Sequence, residues 1–66
     1  MRIIVNGTDQ QAPEAETLAA LLDRLGLADK RLALEVNREI VPRSLHSEYR
    51  LHENDRVEIV QAIGGG

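Results

Sequence analysis

The sequence predicts an α+β domain in which one mixed β-sheet of four to five strands packs on a single helix. Three observations carry this expectation. A chain of 66 residues has room for one small core and no second. Only one segment, Glu14 to Leu25, repeats its apolar residues on a helical period, whereas several others are β-branched or alternate with period two. The helical segment follows two strand segments and precedes the rest, giving the order β-β-α-β-β-β.

Met1 to Asn6 is a β-branched run and reads as the first strand. Asn6-Gly7 follows at once and suits a type I′ hairpin turn, whose two central residues both need positive φ. The returning strand, Thr8 to Ala12, is polar and stops before Pro13, which fits an exposed edge. In the helix, Leu18, Leu21, Leu22 and Leu25 form one apolar stripe. Thr17 is the natural N-cap, Glu14 and Glu16 add negative charge near the positive end of the dipole, and Gly26 suits the left-handed stop.

Beyond the helix, Leu32, Leu34 and Val36 alternate onto one face of a strand. Asn37-Arg38-Glu39 is a tight polar connection, and Ile40-Val41 a short strand stopped by Pro42. Arg43 to His52 has no clean period and reads as a loop with a turn of helix or a brief strand. Glu53-Asn54-Asp55 is a turn, and Arg56 to Ile63 the last strand. The helix returns the chain so that a later strand can lie parallel to the first through a right-handed crossover. This is the β-grasp plan, with a domain over residues 1–63 and a glycine tail over 64–66.

Composition excludes several function classes. There is no cysteine, so neither a disulfide nor a thiolate-rich zinc site can staple the domain; this favours a reducing, cytoplasmic home. Eight basic residues scattered among eleven acidic ones, a net charge of −3 and a pI near 5.2 make a poor footprint for nucleic acid or an anionic membrane. No apolar run is long enough to span a bilayer or to act as a signal peptide. His46 and His52 stand six apart across the loop, without metal-ligand spacing, and read as surface residues. Ser44 and Ser47 flank His46, but no acid is placed to orient a base. No catalytic constellation and no bound cofactor or metal are expected.

Strand parity yields a surface instead. If Ile3, Val5, Val57 and Ile59 face the helix, then Ile4, Val60 and Ala62 face solvent on the far side of the sheet, beside Ala33. Aliphatic residues gathered there, with the adjoining Ile63, make a candidate partner-docking patch. A bulge between Gln61 and Ile63 would reverse the parity at its end.

The tail carries the reactive group. The chain begins with Met, as a complete product does, and its last strand runs into Gly64, Gly65 and Gly66 without polar filler. Three glycines give an arm of roughly 10 Å at about 3.4 Å per residue, able to thread a narrow channel because it has no Cβ. Its one functional group is the α-carboxylate of Gly66, ionised at neutral pH and a poor electrophile until activated, for instance as an anhydride with AMP. Without cysteine, any sulfur the chain carried would have to sit on that terminus as a thiocarboxylate.

The stretches Ile3-Ile4-Val5-Asn6-Gly7, Ala33-Leu34-Glu35-Val36-Asn37-Arg38-Glu39-Ile40-Val41-Pro42-Arg43 and Asp55 to Gly66 resemble the ubiquitin-like sulfur carriers of thiamin biosynthesis, the ThiS family. The resemblance covers the whole chain. It implies that Gly66 is adenylated by an E1-like adenylyltransferase (ThiF) using ATP-Mg, and that a desulfurase-linked donor converts the adduct to a thiocarboxylate. Thiazole synthase (ThiG) then accepts the sulfur, with Gly64 and Gly65 threading into the partners' active sites. The free carrier is expected to be a monomer and a protein co-substrate rather than an enzyme. The small subunit of molybdopterin synthase, which ends in Gly-Gly and uses the same chemistry, is the alternative within the fold. A ubiquitin-like β-grasp interaction or tag module without sulfur transfer is the alternative of a different functional class.

Overall fold

A computed structural model describes residues 1–61 of the chain. Its elements are β1 (Arg2–Val5), β2 (Thr8–Gln11), α1 (Leu18–Arg24), β3 (Leu32–Val36), β4 (Glu39–Val41) and β5 (Arg56–Gln61), with a 3₁₀ turn at Arg43–Leu45. The strands form one sheet in the order β2-β1-β5-β3-β4. β1 and β5 run parallel, and every other neighbouring pair is antiparallel. The strand formed last in sequence therefore lies at the centre, and polar β2 lies at an edge as expected.

Both hairpins owe their register to asparagine. Asn6 and Gly7 have φ of 48° and 81°, the type I′ turn that Asn-Gly predicts. Asn37 and Arg38 adopt φ of 51° and 71° in the same two-residue turn, closing Val36 against Glu39. Each asparagine reaches β5 through its peptide and its side chain alike. The Asn6 N–H donates to the Val57 carbonyl at 2.9 Å and the Asn37 N–H to the Arg56 carbonyl at 2.8 Å, and the side-chain amides add to these. Asn6 Oδ1 accepts from the Ile59 N–H at 2.8 Å and its Nδ2 donates to the Ile59 carbonyl at 3.3 Å. Asn37 Oδ1 accepts from the Arg56 N–H at 3.0 Å, and its Nδ2 donates to Asp55 Oδ1 at 3.0 Å. The two side chains thus extend the pairing of β5 on opposite sides.

The helix begins later than the start of its periodic segment. Thr17 is the N-cap, and its hydroxyl accepts from the Ala20 N–H at 3.1 Å. Gly26, at φ 75°, ends the helix in a Schellman motif. Its N–H reaches the Asp23 carbonyl at 3.0 Å, and the Leu27 N–H reaches Leu22 at 2.8 Å. Leu18, Leu21 and Leu22 are buried, with Leu25 packed at the margin, so the apolar stripe meets the sheet. It faces Ile3 and Val5 of β1, Leu34 and Val36 of β3, and Val57 of β5. Burial of each such side chain contributes roughly 1.5–3 kcal/mol.

Glu16 departs from its expected role. Instead of serving the helix dipole from the surface, it is 7% exposed and forms two hydrogen bonds of 2.9 Å with Arg24, in the last helical turn. This fork of bonds, outweighing the cost of partial burial, holds the Arg24 guanidinium still more firmly protonated than usual. The backbone of Glu16 also ties down the long loop. Its carbonyl accepts from the Leu51 N–H at 2.8 Å, and Tyr49 accepts from the Leu18 N–H at 3.0 Å. Leu51 enters the core from that loop at 1% exposure, although no period marks it.

Thr17→Ala should cost about 1 kcal/mol, lowering the melting temperature by about 4–8 °C in a thermal melt. Tyr49, the single tyrosine, offers a pH test. Burial, with Asp55 and Glu39 nearby, raises its phenol above the ordinary 10.0. The folded state therefore keeps a proton that the unfolded chain has already released. Stability is unaffected by this group below that ordinary value and falls as the pH rises through and beyond it. Absorbance titration of tyrosinate should show a later midpoint for the folded protein than for the chain in denaturant.

Candidate functional site

The outer face of the sheet, remote from the helix, is built by alternation. Val57 and Ile59 face inward, so Glu58 and Val60 face outward; Ala33 lies directly opposite Val60, and Glu35 opposite Glu58. Val60 is 50% exposed, and Ala33 is exposed beside it. On β4 the inward residue is Val41, which leaves Ile40 outward opposite Glu35 and 73% exposed. Ile40 belongs with this surface but was absent from the sequence-derived patch. The inward Val41 next to it was the available signal, because neighbours in a strand face opposite ways.

Ile4 requires a correction. It lies outside the cluster that packs on the helix, so it faces away as parity predicts, yet it is only 6% exposed. It sits in β1 between two strands, with Asp9 and Arg56 as its cross-strand partners. Same-face neighbours in adjoining strands approach within about 5 Å, close enough for long side chains to cover an isoleucine between them. Above Asp9, the Arg2 guanidinium donates to that carboxylate at 3.0 and 3.1 Å and to Asn54 Oδ1 at 2.7 Å. Ile4 is also four residues upstream of the level of Val60, about 13 Å along the strand. The exposed aliphatic surface therefore comprises Val60, Ala33 and Ile40, surrounding the acidic pair Glu35–Glu58. Ala62, Ile63, Gly64, Gly65 and Gly66 lie outside the described residues.

The histidines separate. His52 is exposed, but His46 is 7% exposed rather than a surface residue. Its Nε2 lies 2.9 Å from the Val41 carbonyl, and since a carbonyl only accepts, that nitrogen carries the proton. The His46 carbonyl in turn accepts from the Ala19 N–H at 3.0 Å, so the residue fastens the loop to the helix. A shallow depression of about 190 Å³ lies beside it, lined by Ala19, Leu22, Ala28, Arg43, His46 and Ser47. No carboxylate is among these side chains to orient a base for Ser47. Among the described residues, no three His, Asp or Glu side chains gather as a metal site, and no helix is long and apolar enough to cross a membrane.

What this framework offers chemically is a rigid central strand leading toward the chain's carboxylate, bordered by an exposed aliphatic and acidic face. Residues 2–66 match the model of the ThiS family. The sulfur carrier protein ThiS of Escherichia coli (strain K12) is 30% identical over 66 residues, the full length of both chains. A thiazole synthase of Paramagnetospirillum magneticum is 38% identical over all 66 residues. The chain spans only 20% of the length of that relative. Among solved structures, the crystal structure of the thiamine biosynthesis protein ThiS from Geobacter metallireducens superposes with a TM-score of 0.87, at 28% identity over the whole of both chains. The five-stranded mixed sheet on one helix is thus a β-grasp fold, and the chain belongs to the ThiS family.

Proposed function

We propose that this chain is a sulfur carrier for the thiazole of thiamin, working through the carboxyl group of Gly66. The observation that carries the reading is that the family match extends through Gly66 in a chain with no cysteine. Sulfur then has one attachment point, the terminal acyl carbon. An E1-like adenylyltransferase of the ThiF kind would supply ATP-Mg. A carboxylate oxygen of Gly66 attacks the α-phosphorus, pyrophosphate leaves, and an acyl-adenylate forms. A sulfur nucleophile from a desulfurase-linked donor then attacks the acyl carbon and AMP departs. When that nucleophile is the outer sulfur of a donor persulfide, the product is an acyl disulfide. A thiol reductant then attacks the donor's sulfur, forms a disulfide with it, and releases a thiocarboxylate in which one oxygen has been replaced by sulfur.

Thiazole synthase of the ThiG kind is the proposed acceptor. The relative named thiazole synthase that contains a segment like this whole chain supports that choice over a molybdopterin route. The chain itself supplies no acid, base or metal to these steps; it presents the terminus. Gly64 and Gly65 enter the partner's channel, where any Cβ would widen the arm. Val60, Ala33 and Ile40 provide the docking surface, and Ala62 and Ile63, which follow in sequence, are proposed to belong to it. A cytoplasmic setting, where activating enzyme, ATP and reduced sulfur coexist, fits this chemistry.

Incubation with an activating enzyme, ATP-Mg and a sulfur donor should yield, by intact mass, an AMP adduct and then exchange of one oxygen for sulfur. Deleting Gly66 should abolish both products; restored thiazole synthesis by the deletion in a carrier-deficient strain would falsify the proposal. Val60→Asp should weaken binding to the activating enzyme about tenfold or more, with little change in melting temperature because Val60 is half exposed. Ile4→Asp should instead unfold the domain, since it buries a charge. Unaltered affinity for Val60→Asp would remove that surface from the interface.

A further inference from the structure

The parallel ladder between β1 and β5 stops before β5 does. Its Cα partners are Ile4 with Arg56 and Val5 with Val57. Hydrogen bonds from Ile4 N–H to the Asp55 carbonyl and from Asn6 N–H to the Val57 carbonyl, both 2.9 Å, show that odd-numbered residues of this segment direct their peptides toward β1. Ile59 is the next, and it is served by the Asn6 side chain. Gln61 is the one after that. On its other flank lies Leu32 of β3, a pair that does not exchange peptide hydrogen bonds, because the even-numbered residues face β3. Among the described residues, no strand lies on the β1 side of Gln61, since the chain has already turned at Asn6-Gly7.

At the turn itself, the surroundings of Gly7 are open among the described residues. A Cβ placed on Gly7 would meet nothing within 4 Å. The loop after the helix is elsewhere, with Ala28 and Lys30 beside Arg43 and His46 on the β3–β4 flank. The result is a short notch in the middle of a sheet, floored by Asn6 and walled by β5. Among the described residues, nothing fills the donor and acceptor that Gln61 turns toward it.

We infer that this notch accepts an extended segment of the thiazole synthase, which pairs its main chain with Gln61 and so adds a short strand beside β5. The inference rests on the carrier reading and deepens it by naming the surface that aligns the tail. Three observations favour this occupant. The notch demands a main-chain donor and acceptor, which an extended peptide supplies whatever its side chains. It adjoins Gln61, five residues before Gly66 in the sequence, so an enzyme that receives Gly66 comes close to it. In the thiazole synthase relative, a segment like this chain is part of the same polypeptide. Pairing at Gln61 would fix the direction of the tail by backbone geometry, separately from the aliphatic contact at Val60.

The test is amide hydrogen exchange of the full-length chain, free and saturated with a thiazole synthase, read residue by residue by NMR. The Gln61 N–H should exchange fast in the free protein and at least about tenfold more slowly in the complex. Gln61→Pro, which removes that N–H but none that faces β3, should weaken binding about tenfold with the fold retained by circular dichroism. A complex that forms while the Gln61 amide remains unprotected overturns the inference and leaves the carrier reading standing. Unchanged affinity for Gln61→Pro overturns it likewise. If the wild-type chain does not bind the synthase at all, the carrier reading fails, and this inference with it.

Discussion

The architecture depends on how β5 is held. It is the shared neighbour of two hairpins, β1–β2 on one side and β3–β4 on the other, which otherwise do not touch as strands. Each hairpin ends beside it in a left-handed asparagine, and each asparagine holds β5 with both its peptide N–H and its side-chain amide. A left-handed backbone is tolerated by asparagine better than by most residues, and an asparagine side chain carries both a donor and an acceptor. The same two positions therefore shape the hairpins and join them. Glycine could meet the first demand at either position, but it lacks the amide for the second.

Local chemistry made much of this plan legible. Asn6-Gly7 announces its turn because few residue pairs accept positive φ twice, and Thr17 and Gly26 mark the helix ends by what their atoms can and cannot do. The leucine stripe and the alternation of Leu32, Leu34 and Val36 identify the inner faces without reference to any partner. Parity likewise put Val60 and Ala33 on the outer face. What stayed hidden depended on neighbours distant in sequence. Parity gives the face of Ile4 but not its cover, which comes from strands on both sides. Glu16 reads as a helix-start carboxylate until Arg24 folds over it, and Leu51 and His46 read as loop residues until the loop closes against the helix.

These features divide the molecule's labour. The helix side is packed, with aliphatic side chains from α1 and four strands. The opposite side has ion pairs at one end, Arg2 with Asp9, and exposed aliphatics at the other, around Val60. That polarity follows the direction of β5, so its solvated beginning and its apolar end are different surfaces. In the proposed carrier role, with more than one enzyme to meet, the chain would gain from this arrangement. The rigid parts are shared, and only the end near the terminus needs to be recognised.

The central position of β5 also governs the order in which the chain can acquire structure. As the polypeptide emerges from the ribosome, β1–β2 and β3–β4 are available first, but each is an isolated hairpin, and such pairs are marginal in water. They cannot be joined until residues 56–61 have emerged and slipped between them. Assembly of the sheet must therefore wait for the last strand. A nascent chain cut short before that strand would leave two unmatched hairpins for proteolysis, rather than a folded domain lacking only its last residues.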